Sequence, residues 1–171
     1  MFTEVLKYTL PSLIVFLTSF YLIRSYFYDQ EKKRKIKLLL KNKDLITPLR
    51  LQAYERIILF LERISPDSLI IRVSQPGMSA KQLQNDMIAT IRAEYEHNLS
   101  QQIYLTNEAW NYVLAARANT IKLINMASEK VPAEAPYLQL SATLLDLSVQ
   151  TEKTPTSIAI EFIKKEVQMM F

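Results

Sequence analysis

Hydrophobic and polar positions divide the chain into a first stretch that is apolar on every side and a second part with apolar residues at helical spacing. Residues 5 to 23 read VLKYTLPSLIVFLTSFYLI, and Lys7 is the one charged residue among them. A helix of about 19 residues is about 28 Å long, close to the hydrocarbon thickness of a bilayer. The pattern predicts a transmembrane helix with interfacial flanks over residues 1 to 28.

A basic stretch follows the apolar one. Residues 24 to 43 contain eight Lys and Arg against two acidic residues, and neither Gly nor Pro occurs between Ser12 and Thr47. We therefore expect the helix to continue as a basic stem over residues 29 to 46. Positive charge after a span predicts that this end faces the cytoplasm and the N-terminus faces outside. The cations expected to face the membrane surface are Lys32, Lys33, Arg34, Lys35 and Lys37.

A cleaved signal peptide is the alternative interpretation of this N-terminus. Such a peptide carries positive charge before its apolar run and a small-residue cleavage site after it. The flank RSYFYDQEKKRK places the positive charge after the run and contains no such site. The sequence therefore favours an uncleaved anchor.

Residues 47 to 171 are predicted to form a compact bundle of about five helices. One Gly and no Asn-Gly or Asp-Gly turn in 171 residues argue against sheets, so the predicted fold class is all-α. The segment SLIIRVS fits either a brief helix or an extended piece, and Tyr137 to Gln150 reads as a Leu-rich helix. Predicted helix starts are Thr47-Pro48, Ser65-Pro66, Ser79 after the loop Gln75-Pro76-Gly77, Thr106 or Asn107, and Thr154-Pro155.

Composition limits the functions that this domain can have. Hydrophobic residues make up 49% and charged residues 22%, which are values of a globular chain. The net charge of the chain is +4, but residues 44 to 171 contain 12 Lys and Arg against 14 Asp and Glu, a balance of −2. The basic character therefore belongs to the stem, and no nucleic-acid partner is expected. With no Cys, disulfides and thiolate chemistry are excluded.

The sequence contains no recognisable catalytic, cofactor or metal site. His97 is the only histidine, whereas a metal site commonly uses three or four ligands, and a phosphate-binding loop needs more than one Gly. A solvated surface position is the expected role of His97. We therefore predict a protein that is not an enzyme and has no cofactor, no metal and no small-molecule substrate.

The stretch PLRLQAYERIILFLERISPDSLIIR, residues 48 to 72, lies behind a single predicted span. This arrangement resembles a family of uncharacterised single-pass bacterial proteins of the Bacteroidota type that have a helical cytoplasmic domain. The resemblance implies a location in the bacterial inner membrane. It implies no activity and no site residues.

One helix face in this stretch is the predicted partner-facing polar stripe. Its residues are Arg50, Tyr54, Glu55, Arg56 and Arg63, and the alternative is a solvated face. The predicted function is a non-catalytic accessory, adaptor or scaffold subunit of an inner-membrane complex. Its expected partners are the lipid bilayer and other membrane subunits or a second copy. The alternative is a membrane-tethered module that engages anionic lipid, RNA or the ribosome through the stem.

Overall fold

The structure is a computed structural model that describes the backbone of residues 2–170. Side chains are described for residues 13, 15–28, 30–35, 37 and 45–170. This part of the chain is all-α, and the helical bundle predicted from the sequence is present. Its elements are α1 (Phe2–Arg63), α2 (Pro66–Val73), α3 (Ala80–Asn98), a 3-10 helix (Leu99–Ile103), α4 (Asn107–Ser128), α5 (Tyr137–Gln150) and α6 (Pro155–Met170).

The transmembrane helix predicted over residues 1 to 28 is wrong. Across the residues that the structure describes, none of the helices combines the length and the apolar character that crossing a membrane requires. A span needs about 20 predominantly apolar residues, whereas Arg24 directly follows Ile23 and the polar Thr18 and Ser19 interrupt the run. The predicted single-pass, signal-anchor architecture depends on that helix and is therefore wrong as well. The side chains of residues 1 to 12, including Lys7, lie outside the described ones.

The chain divides into two compact units, Met1–Thr47 and Pro48–Phe171. In the first unit, the large apolar side chains described between residues 13 and 28 are exposed, and the rings of Phe16 and Phe20 stack 6.3 Å apart. The five cations predicted for a membrane surface are all exposed on α1: Lys32, Lys33, Arg34, Lys35 and Lys37. Their predicted role stays a prediction.

Most of the predicted helix starts are confirmed. Ser79 forms a capping box with Gln82, and the Thr106 hydroxyl accepts a hydrogen bond from the Ala109 amide. The Thr154 hydroxyl accepts from the Ser157 amide at the start of α6. The start at Thr47-Pro48 is wrong, because α1 continues through Pro48. Proline has no amide hydrogen, so the helix lacks one backbone bond there.

The second unit encloses one apolar core. Helix α4 packs against α3, α5 and α6, and α2 packs against α3 and α5. Burying one such Leu or Ile side chain contributes about 1.5–3 kcal/mol, so this core supplies the main stabilisation of the bundle. Fully buried members include Ile57, Leu61, Ile64, Leu69, Leu83, Met87, Ile91, Val113, Ile124, Leu140, Leu144 and Ile163.

The linker between α4 and α5 fixes where α5 begins. The amides of Ala80 and Lys81 have no acceptor within α3, because they lie in its first turn. They donate instead to the carbonyls of Ala135 (2.7 Å) and Ala133 (3.1 Å), respectively. The amide of Tyr137 in turn donates to the carbonyl of Met78 at 3.1 Å. These bonds attach the first turn of α5 to the N-terminus of α3.

Candidate partner-binding groove

Helix α5 is apolar on two opposite faces. Leu140 and Leu144 point into the core, as a helix in a bundle requires. The other face carries apolar residues at spacings of four, three and four positions, and all of them are exposed. This α5 stripe consists of Leu138, Ala142, Leu145 and Val149.

A groove of about 820 Å³ opens beside the C-terminal half of the α5 stripe. Its apolar surface comes from Leu145, Val149 and Ile160, and Val149 is 84% exposed. The end of α1, the start of α2 and the length of α6 supply the rest of its lining. Small hydroxyl side chains leave the groove open: Ser65, Ser148, Thr154, Thr156 and Ser157.

Apart from Glu161, the charged side chains of the groove are separated by sign. Glu62 and Asp67 come from α1 and α2, whereas Lys164 and Lys165 come from α6. Glu161 lies on the α6 side, where it pairs with Lys153 and, at 3.2 Å, with Lys165. Hydrogen bonds from these two ammonium groups, that of Lys153 first, hold the pKa of Glu161 below its ordinary value.

Among the described residues, Glu62, Asp67 and Lys164 form no ion pair and no side-chain hydrogen bond. Their charges are therefore available to a ligand. The charges without an ion-pair partner are therefore negative on the α1–α2 side of the groove and positive on its α6 side.

Two residues of the predicted polar stripe form hydrogen bonds to other elements of the bundle. Arg50 donates from Nε to the Tyr104 carbonyl at 3.1 Å. Tyr54 is 1% exposed, and its hydroxyl donates to Glu166 Oε1 at 2.5 Å. Burial, and then the hydrogen bond to Glu166, raise the pKa of Tyr54 above its ordinary value. In this conformation Tyr54 has a structural role and no contact with the surface.

The remaining members of the predicted stripe are exposed. Arg63 pairs with Glu94 at 3.3 Å, and Arg56 lies beside it along a hollow of about 200 Å³ that His97 also lines. Glu55 is exposed and has no ion-pair partner among the described residues. The structure therefore brings Arg56 and Arg63 together and separates them from Tyr54. Their role in partner binding stays a prediction.

Sequence reasoning missed the α5 stripe. The spacing of Leu138, Ala142, Leu145 and Val149 is visible in the sequence, but so is the spacing of the buried face. A helix with two apolar faces shows no clear amphipathic pattern. The groove itself depends on residues more than 80 positions apart, such as Glu62 and Val149, which no local pattern brings together.

No group of three or more His, Asp or Glu residues in the described part of the chain could hold a metal ion. Among known proteins, a family model described as "Family of unknown function (DUF7935)" matches residues 1–170. No curated protein and no solved structure matches the chain.

Proposed function

Because the chain belongs to this family of unknown function (DUF7935), we propose its role from its own residues. It is a non-catalytic adaptor or scaffold subunit that binds a partner protein through the α5 stripe and the adjoining groove. The observation that carries this proposal is the exposure of Leu145 and Val149 at a concave surface.

Exposed apolar side chains scattered singly are normal, whereas contiguous exposed apolar surface marks an interaction site. The α5 stripe is contiguous because its members follow one another at helical spacing. A partner that covers Val149 removes its side chain from water, which favours binding. Polar and charged groups around the apolar centre match the usual arrangement of a protein interface.

The apolar segment of α1 gives further support. Exposed aliphatic and aromatic side chains occur on it at 11 of the 15 positions described from 13 to 28. Such a surface is typical of a chain that associates with other subunits. A subunit role therefore agrees with the first unit as well as with the groove.

The proposal is tested by isolating the native assembly of the wild type, of a variant in the groove and of a matched control variant. The tagged full chain, expressed at its natural level, is extracted gently and analysed by native sizing and mass spectrometry. We expect the wild type to elute with a partner at fixed stoichiometry and Val149→Gln to lose most of it. Ile103→Gln is the control, because Ile103 is 74% exposed and does not line the groove.

Three results of this experiment would contradict the proposal. A wild-type chain recovered alone, or a partner retained equally by Val149→Gln and Ile103→Gln, contradicts the proposal. Loss of the partner from both variants would also contradict it, since the groove would then have no special role. Far-ultraviolet circular dichroism confirms that each variant is folded.

The five exposed cations of α1 favour a second candidate function, the binding of a polyanion such as RNA. Closely spaced Lys and Arg attract phosphate backbones, and the affinity then falls steeply as salt rises. Replacing Lys33, Arg34 and Lys37 by Gln should remove such binding. If an RNA oligonucleotide binds the wild type and this variant equally, the second candidate is excluded.

A further inference from the structure

We propose that the occupant of the groove is an amphipathic helix of the partner protein. This helix has a row of basic side chains along one edge of its apolar stripe and a row of acidic side chains along the other edge. This inference rests on the proposed function and specifies the chemistry of the partner. Its basic row faces Glu62 and Asp67, and its acidic row faces Lys164.

The shape of the surface favours a helix as the occupant. From Leu138 to Val149 the α5 stripe covers three turns, about 17 Å at 1.5 Å per residue. A second helix packed alongside at about 8–10 Å between axes touches such a stripe along its whole length. A segment bound as a β-strand would need a sheet edge for its backbone hydrogen bonds, whereas a helix satisfies its own.

The charges decide which kind of helix fits. A partner helix that is basic on both flanks meets Lys164 with like charge, and one that is acidic on both flanks meets Glu62 and Asp67 with like charge. A helix with one row of each sign finds an opposite charge on both sides. Lys165 contributes less, since Glu161 already pairs with it at 3.2 Å.

The separation of charge also sets the direction of the bound helix. Turning the partner helix end for end exchanges its two flanks relative to the groove. A given sequence with distinct basic and acidic rows is therefore accepted in one direction only. This gives the groove specificity that its apolar surface alone lacks.

The experiment compares three synthetic helical peptides of about 18 residues, or five turns, that share one Leu stripe. One peptide has a Lys row and a Glu row, one has two Lys rows, and one has two Glu rows. Binding to the full chain is measured by fluorescence anisotropy at low salt. We expect the mixed peptide to bind about tenfold more tightly than either of the others, since each exposed ion pair contributes up to about fivefold.

Three variants connect the peptide affinities to the groove. Lys164→Glu should weaken the mixed peptide and strengthen the peptide with two Lys rows, each by about threefold to tenfold. Lys122→Glu is the matched control, because Lys122 is exposed on α4 and does not line the groove. Val149→Gln should weaken all three peptides, because they share the apolar stripe.

Equal affinities for the three peptides, or equal effects of Lys164→Glu and Lys122→Glu, would overturn the inference. The same is true if Val149→Gln leaves peptide binding unchanged, since the peptides then bind elsewhere. These results differ from failure of the proposed function. If Val149→Gln loses the native partner while no peptide binds, the groove binds a partner that is not such a helix, so the adaptor function stands and this inference fails.

Discussion

Glu94 and Glu166 each join a helix to two other elements of the bundle, but their partners differ in charge. Glu94 on α3 accepts from Arg63 of α1 at 3.3 Å and from Arg72 of α2 at 2.8 Å. Glu166 on α6 accepts from the hydroxyls of Tyr54 on α1, at 2.5 Å, and of Thr106 at the start of α4, at 2.9 Å. One junction is ionic and the other uses neutral donors.

The difference teaches how burial of the partner decides what a hydrogen bond contributes. The side chains of Arg63 and Arg72 are 55% and 39% exposed, so both can regain hydration when Glu94 is removed. Tyr54 is buried, and among the described residues Glu166 is the one acceptor of its hydroxyl, so removing Glu166 takes that bond away. We therefore expect the neutral junction to matter more for stability, although it carries fewer charges.

Glu166→Ala is expected to have the largest effect. It should lower the free energy of unfolding by about 2 kcal/mol, because an unsatisfied buried hydroxyl costs about 1–3 kcal/mol. Urea unfolding followed by circular dichroism at neutral pH measures the change. Glu166→Gln is the control, since its amide oxygen still accepts from Tyr54, and it should lose less than half as much. Equal losses for the two variants would show that the carboxylate charge, and not the acceptor, is required.

Glu94→Ala should have a smaller effect, a loss of about 1 kcal/mol in the free energy of unfolding, because ion pairs whose arginines are exposed contribute about 0.2–1 kcal/mol each. The loss should shrink when salt is raised to about 1 M, where charges are screened within about 3 Å. The loss for Glu166→Ala should not shrink. If both losses respond equally to salt, the distinction between the junctions is wrong.

Local sequence pattern was enough to predict the ends of several helices. Ser79 and Thr106 cap α3 and α4 because their hydroxyls bond amides only three residues away. The Tyr54–Glu166 bond joins residues 112 positions apart. The sequence places Tyr54 at apolar spacing with Leu61, which agrees with its burial, but its hydroxyl partner follows from tertiary packing alone.

The same limit explains the errors at the N-terminus and the omission of the groove. The prediction of a span gave weight to apolar residues over the polar Thr18, Ser19 and Arg24. The groove depends on α5, α6 and the end of α1 meeting, and its charged residues look like ordinary solvated positions in the sequence. Lys164 differs from Lys165 only because Glu161 pairs with one of them.

The ionic junction should make stability depend on acid pH. Burial raises the pKa of Glu94, but hydrogen bonds from Arg72 and Arg63 and their charges outweigh it and bring the pKa below the ordinary 4.5. A lowered pKa in the folded state means that its contribution is present above 4.5 and is lost as pH falls through the folded value. Glu94→Gln should therefore flatten the loss of stability with acid, measured by urea unfolding at a series of pH values. An unchanged slope would assign that loss to other carboxylates.

The neutral junction should respond at the opposite end of the pH scale. Burial of Tyr54, and then its bond to Glu166, raise its pKa above the ordinary 10.0. A raised pKa in the folded state means that the contribution is present below 10.0 and is lost as pH rises through the folded value. Tyr54→Phe should reduce this alkaline loss, although it lowers stability at neutral pH. An alkaline slope that is the same in both proteins would contradict the assignment.

Thr120 extends the comparison to a buried polar group with no partner. Its side chain is fully buried in α4, and its hydroxyl is the one buried side-chain polar atom in the described residues without a hydrogen bond. Thr120→Val keeps the branched shape and removes that hydroxyl, so it should raise the free energy of unfolding by up to about 1 kcal/mol. Thr120→Ser is the control, because it keeps the hydroxyl and loses a buried methyl group, and it should lower stability in the same urea experiment. A decrease for Thr120→Val as well would mean that the hydroxyl is satisfied, and Thr120 would then belong with Tyr54 as a neutral donor that the core requires.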